Sequence, residues 1–147
     1  MGRTNAEVAA LLLEYADLFA MNGGDGIRVR SYKKAAESIA SYPGDLTRID
    51  VRTLPDVGEA IAKKVTEALQ RGTFRQLEEL RRKIPAGARN LLAVPGLGPK
   101  RALQLHTELG VDSPQALAEA IRQGRLDGVR GFGPKTRQAL LEAIDSL

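Results

Sequence analysis

Residues Leu92–Leu105 read LAVPGLGPKRALQL, and Leu126–Ile144, LDGVRGFGPKTRQALLEAI, repeat the same skeleton. Each copy holds a Gly-x-Gly-Pro-Lys core followed by helical periodicity. An earlier segment, LPDVGEAIAKKVTEAL at Leu54–Leu69, reads as a third, altered copy. Glycine tolerates positive φ, and its missing Cβ lets another backbone come close. Proline after the second glycine suits the first turn of a helix, where no N–H is needed. The pattern therefore predicts helix, tight hairpin, helix, with Leu97 and Phe132 buried as pins.

Such a hairpin leaves amide N–H groups at a helix N-terminus, where the dipole favours an anion. Lys100 and Lys135 lie directly behind each proline, within reach of the same anion. The predicted grip on phosphate comprises Gly96, Gly98, Lys100 and Arg101 in one copy. Gly131, Gly133, Lys135 and Thr136 form it in the other. Because it is mostly backbone, it carries no base code. In the earliest copy Asp56 replaces the first glycine and Glu59 stands at the proline position. A carboxylate there suits the dipole but repels phosphate, so this hairpin is expected to be structural or weak as a nucleic-acid contact.

The rest of the 147-residue chain fits that reading. Apolar residues make up 43% and charged residues 27%, the balance of a folded globular protein. Cysteine is absent and there is one histidine, His106, which excludes disulfides and most zinc constellations. The most apolar segment, VAALLLEYADLFAM, is interrupted by Glu14 and Asp17, so neither a membrane span nor a signal peptide is expected. The expected location is the cytoplasm, with no membrane partner and a monomeric state.

Net charge is +4, and its distribution is uneven. The first segment carries Glu7, Glu14, Asp17 and Asp25, whereas RVRSYKK, directly after, holds Arg28, Arg30, Lys33 and Lys34 without an acid. Further clusters lie at Lys63–Lys64, Arg81–Lys83, Lys100–Arg101 and from Arg122 to Arg137. Separated patches of one sign suit a polyanion, and solvated helix faces are the plainer alternative.

Periodicity is helical throughout. Helices are predicted near 5–21, 31–41, 58–70, 74–82, 86–92, 99–109, 114–122 and 134–145, with only a short helical turn around 45–49. No strand pattern is present. KIPAGAR reads as a junction, giving an all-α chain of two helical sub-domains, 1–84 and 85–147. The second reads as a duplicated hairpin unit.

In order, RVRSYKKAAESIASYP, LPDVGEAIAKKV, RGTFRQLEELRRKIP, VPGLGPKRA and RGFGPKT resemble the N-terminal part of bacterial X-family DNA polymerases, relatives of DNA polymerase beta. The likeness covers nearly the whole chain. It implies a small lyase-like domain followed by a DNA-binding fingers subdomain. The implied partner is DNA with a gap, a nick or a 5′-phosphate end, held without regard to sequence, in base excision repair. It also implies a monovalent cation, Na⁺ or K⁺, on the hairpin carbonyls of Leu92, Val94 and Leu97, and otherwise no required cofactor. A polymerase palm is implied in the same or another chain. No Asp-x-Asp occurs here to hold the metals of nucleotide transfer.

The same resemblance implies that Lys64 is the amine that forms a Schiff base with a 5′-deoxyribose phosphate. Arg28, Arg30, Lys33 and Lys34 would hold the phosphate, and Tyr32 would line the pocket. The helical wheel supports Lys64 independently: it borders the face marked by Ile61, Val65, Ala68 and Leu69, while Lys63 points away. Ala60 stands where close relatives of polymerase beta keep a second lysine, and Gln76 replaces another basic position. Three functions stay open from sequence: DNA binding, DNA binding with lyase chemistry, and a helical protein-interaction module.

Overall fold

In the computed structural model, which describes residues 4–147, Thr4 opens the first helix, α1 (Asn5–Met21). The Thr4 hydroxyl accepts the Glu7 amide, and the Glu7 carboxylate accepts the Thr4 amide, a capping box that fixes the start. Val8, Leu11, Leu12, Tyr15 and Leu18 recur at three- and four-residue steps and are all buried. α2 (Gly26–Ser41) begins five residues before the predicted start. Asp25 caps it by accepting the Arg28 amide at 2.9 Å, and Gly26 is its first residue rather than a continued break. That puts Arg28 and Arg30 on a helix, not on a loop.

Two 3-10 turns, Leu46–Arg48 and Val51–Thr53, lead to α3 (Glu59–Arg71), which ends on Gly72 with φ 83°. α4 (Arg75–Lys83) follows. α1 is the central helix of this unit and packs on α2, α3 and α4. Leu12, Leu18, Ile39, Phe74 and Leu77 are almost wholly excluded from water, each burial being worth roughly 1.5–3 kcal/mol. Arg81 ties α4 to α1 through a two-pronged pair with Glu14 at 2.6 and 2.7 Å.

A second compact unit begins at Ile84. It contains α5 (Ala86–Asn90), a 3-10 turn (Leu91–Ala93), α6 (Pro99–Leu109), α7 (Pro114–Arg122) and α8 (Pro134–Asp145). Its core holds Leu91, Leu97, Leu105, Leu117, Leu126 and Phe132, each at most 2% exposed. His106 belongs to the packing: its Nδ1 lies 3.0 Å from the Val111 carbonyl oxygen. A Cβ on Gly87 would fall 2.6 Å from the imidazole, so glycine is what lets α5 approach α6 here. No strand occurs among the described residues, and no helix is long and apolar enough to cross a membrane.

Candidate nucleic-acid interface

All three hairpins are built by one hydrogen-bond pattern. A turn closes with Val57 N–H on the Leu54 carbonyl (3.3 Å), Leu97 on Val94 (3.2 Å) and Phe132 on Val129 (3.1 Å). The third residue of each turn takes positive φ: Asp56 at 64°, Gly96 at 83° and Gly131 at 90°. The residue after it is buried in every case, Val57 at 5%, Leu97 at 2% and Phe132 at 1%. The next residue is always a glycine, and it caps the following helix: Gly58 before α3, Gly98 before α6, Gly133 before α8.

Three other helices are capped differently. α1, α2 and α7 are closed by the side chains of Thr4, Asp25 and Ser113. The three hairpin helices have no side-chain cap at all. Among the described residues, the amides of Gly98, Lys100 and Arg101, and of Gly133, Lys135 and Thr136, reach no protein acceptor. Gly96, Gly98, Gly131, Gly133, Lys100 and Lys135 are exposed. A row of bare donors, a helix dipole and an ammonium thus face solvent at both later hairpins.

Glycine is required for different reasons within the set. Gly98 has φ 80°, a conformation that strains other residues, whereas Gly133 is extended (φ −70°). A Cβ on Gly133 would meet no atom of the chain within 4 Å. Packing within the protein therefore does not require that position to be bare, and Gly58 and Gly98 are equally open.

Within the second unit the two later hairpins are neighbours. The Arg101 guanidinium lies 5.6 Å from the Phe132 ring centroid, across from one hairpin to the next. Arg137, which sequence reading did not single out, donates to the Phe132 carbonyl at 3.1 Å and lies 3.5 Å from Asp127, so it braces the last hairpin from behind. Of the carbonyls expected to meet a monovalent cation, Val94 accepts the turn bond from Leu97. Leu92 and Leu97 accept none among the described residues. These oxygens suit a hard monovalent ion. No cluster of three or more His, Cys, Asp or Glu residues able to hold a metal occurs among the described residues.

The first unit holds the lysine. Lys64 is 8% exposed, the one charged side chain in the core of the described residues, whereas Lys63 is exposed. Its Nζ lies 5.6 Å from the Tyr15 ring centroid and 5.7 Å from that of Tyr32. Burial, and then the nearby Arg28 guanidinium, hold the amine below the usual lysine range. Arg28 and Tyr32 are one helical turn apart and share a face. Arg30 and Lys34 lie on the other side of α2, exposed, so the four expected phosphate ligands are not gathered around Lys64. Lys33 is also exposed; burial raises the Asp17 carboxyl above its usual range, and the Lys33 charge offsets only part of that rise.

A cleft of about 520 Å³ opens on the other side of α3, beside Ile49, Arg52, Lys63, Thr66 and Gln70. It does not include Lys64. Arg52 is held there by Asp50 at 2.8 Å and Glu59 at 3.2 Å. The first hairpin therefore carries bound charge where the others carry free charge.

Comparison with known proteins agrees with this geometry. Residues 3–74 match the helix-hairpin-helix domain, and residues 88–146 match the SAM-like helix-hairpin-helix tandem. The chain is 30% identical over 139 residues to the DNA polymerase/3′-5′ exonuclease PolX of Bacillus subtilis (strain 168). This chain is similar to an X-family DNA polymerase over nearly its whole length. The match covers 94% of the chain but 24% of the Bacillus protein. The X-family likeness thus extends over both helical units.

Proposed function

We propose that this chain grips DNA by its sugar–phosphate backbone, without regard to sequence, through the hairpins at Gly96–Lys100 and Gly131–Lys135. The observation that carries the reading is the pair of uncapped helix starts, whose amides have no acceptor while a lysine stands behind each. Helix-hairpin-helix matches over both units and the X-family relationship support it. Gapped or nicked DNA with a 5′-phosphate is the proposed substrate class, in repair. Monovalent cation on the Leu92, Val94 and Leu97 carbonyls would bring positive charge toward the same phosphates. Any polymerase activity would need a palm outside this region.

A mobility-shift titration on gapped DNA at 50 and 200 mM salt tests the proposal. Affinity should fall steeply with salt, because neutralised phosphates release counterions, and scrambled sequences should bind alike. Indifference to salt, or retention of a protein partner with no DNA shift, would sink it in favour of a protein-interaction role.

A second reading adds chemistry at Lys64, and the buried amine with its lowered proton affinity favours it. The neutral amine would add to the C1′ aldehyde of an opened abasic sugar, and water would leave to give an iminium. Loss of a C2′ proton to solvent would then break the C3′–O bond, releasing DNA with a 5′-phosphate. Water would hydrolyse the imine and return Lys64. Borohydride should trap a covalent adduct that Lys64→Ala abolishes.

A further inference from the structure

Lys64 is buried without an ion pair. Among the described residues no carboxylate lies within ion-pairing distance of it, and the charge closest in effect is the positive Arg28. A lysine in that position normally demands a counter-charge. Here two ring faces take its place. Tyr15 from α1 and Tyr32 from α2 stand 5.0 Å apart at 76°, and both centroids lie within 6 Å of Nζ, the range in which a ring quadrupole attracts a cation.

The rings are themselves held. Tyr15 meets Phe74, which is fully buried, edge-on at 5.2 Å. Phe19 meets Tyr32 at 5.5 Å and 82°. Tyr15 is 7% exposed and Tyr32 8%, so neither can swing aside without opening the core. The groups facing the amine are Tyr15 from α1, and Arg28 and Tyr32 from α2. Glu79 of α4 acts on Tyr15 and is paired with Arg75 at 3.0 Å. Burial, with Tyr32 beside it, pushes the Tyr15 hydroxyl up to about 12, so this ring stays neutral over the working range.

We infer that Tyr15 is a positioning residue for the Lys64 amine: its ring face fixes Nζ in a buried place that no carboxylate could occupy without blocking reaction. This rests on the reading of Lys64 as the nucleophile. A carboxylate would hold the amine protonated and leave no lone pair to attack an aldehyde. A ring face attracts the ammonium far more weakly, so the proton can leave while the side chain stays where it is. Tyr32 alone offers one wall; Tyr15 makes it a corner.

The inference separates ring from volume. Tyr15→Phe keeps the face, whereas Tyr15→Leu and Tyr15→Met keep apolar bulk and remove it. Two measurements on the whole chain suffice: titration of the Lys64 Nζ by NMR, and single-turnover borohydride trapping on incised abasic DNA against pH. Tyr15→Phe should match the parent in both. The Leu and Met variants should titrate lower by about one pH unit. Their trapping rate on the high-pH plateau should drop roughly tenfold, since a freed amine loses its oriented approach. DNA affinity should be unchanged. If the parent traps nothing, the Lys64 reading fails and the role of Tyr15 with it. If the parent traps but the Leu and Met variants titrate and react like Tyr15→Phe, Lys64 stands and the role of Tyr15 is overturned.

Discussion

The hairpin at Leu54–Gly58 and the two at Val94–Gly98 and Val129–Gly133 share their turn bond, their positive-φ residue, their buried pin and their glycine cap. They differ in charge. The first has an aspartate in the left-handed position and Glu59 paired to Arg52, with Ala60 where the others carry lysine. The later two have proline and then a lysine that makes no ion pair among the described residues. One backbone device therefore carries two charge patterns: acids at the first hairpin, where it joins helices, and lysines at the two for which we propose a phosphate grip.

The largest effect should come from reversing charge at both later sites. Lys100→Glu with Lys135→Glu should weaken binding to all DNA sequences alike, on the order of tenfold or more, and reduce the salt slope by about two. Equal affinity for the parent and this variant would erase the contrast among hairpins. The converse change should build a third grip. Asp56→Gly with Glu59→Pro and Ala60→Lys should raise affinity several-fold and steepen the salt slope by about one, without change in helix content by circular dichroism.

Glycine substitutions sharpen the contrast further. Gly98→Ala should lower stability by about 1 kcal/mol, because φ 80° strains a residue with a Cβ. Gly133→Ala should leave the melting temperature nearly unchanged, since the backbone is extended and the space is open. It should still weaken DNA binding, because the added methyl stands between amide and phosphate. A Gly133→Ala variant that binds normally would mean that nothing approaches this backbone closely. The smallest effect belongs to Glu14→Gln: its pair with Arg81 is about one-third exposed on each side, and its loss should cost no more than about 1 kcal/mol in a denaturant titration.

Much of this was legible in the sequence because hairpin and helix signals are local. Gly-x-Gly-Pro marks a turn and the helix start at Pro99 and at Pro134, and the wheel around Lys64 separates it from Lys63. The start of α2 was misread because Gly23, Gly24 and Gly26 look like one break, whereas Asp25 between them is a cap. What stayed hidden is long-range. Tyr15 reads as one more core position of an amphipathic helix, and no spacing in the chain announces that it meets Lys64 from across the unit. The bracing role of Arg137 likewise depends on a carbonyl whose direction only the folded turn sets.

The most direct test of the account follows backbone amides, by ¹⁵N–¹H correlation spectra, while a short duplex of arbitrary sequence is added at low salt. The account predicts the largest early shifts at Gly98, Lys100, Gly133 and Lys135, with Glu59 and Ala60 nearly still. Shifts concentrated at the first hairpin, or still amides at both later ones while DNA binds, would contradict it.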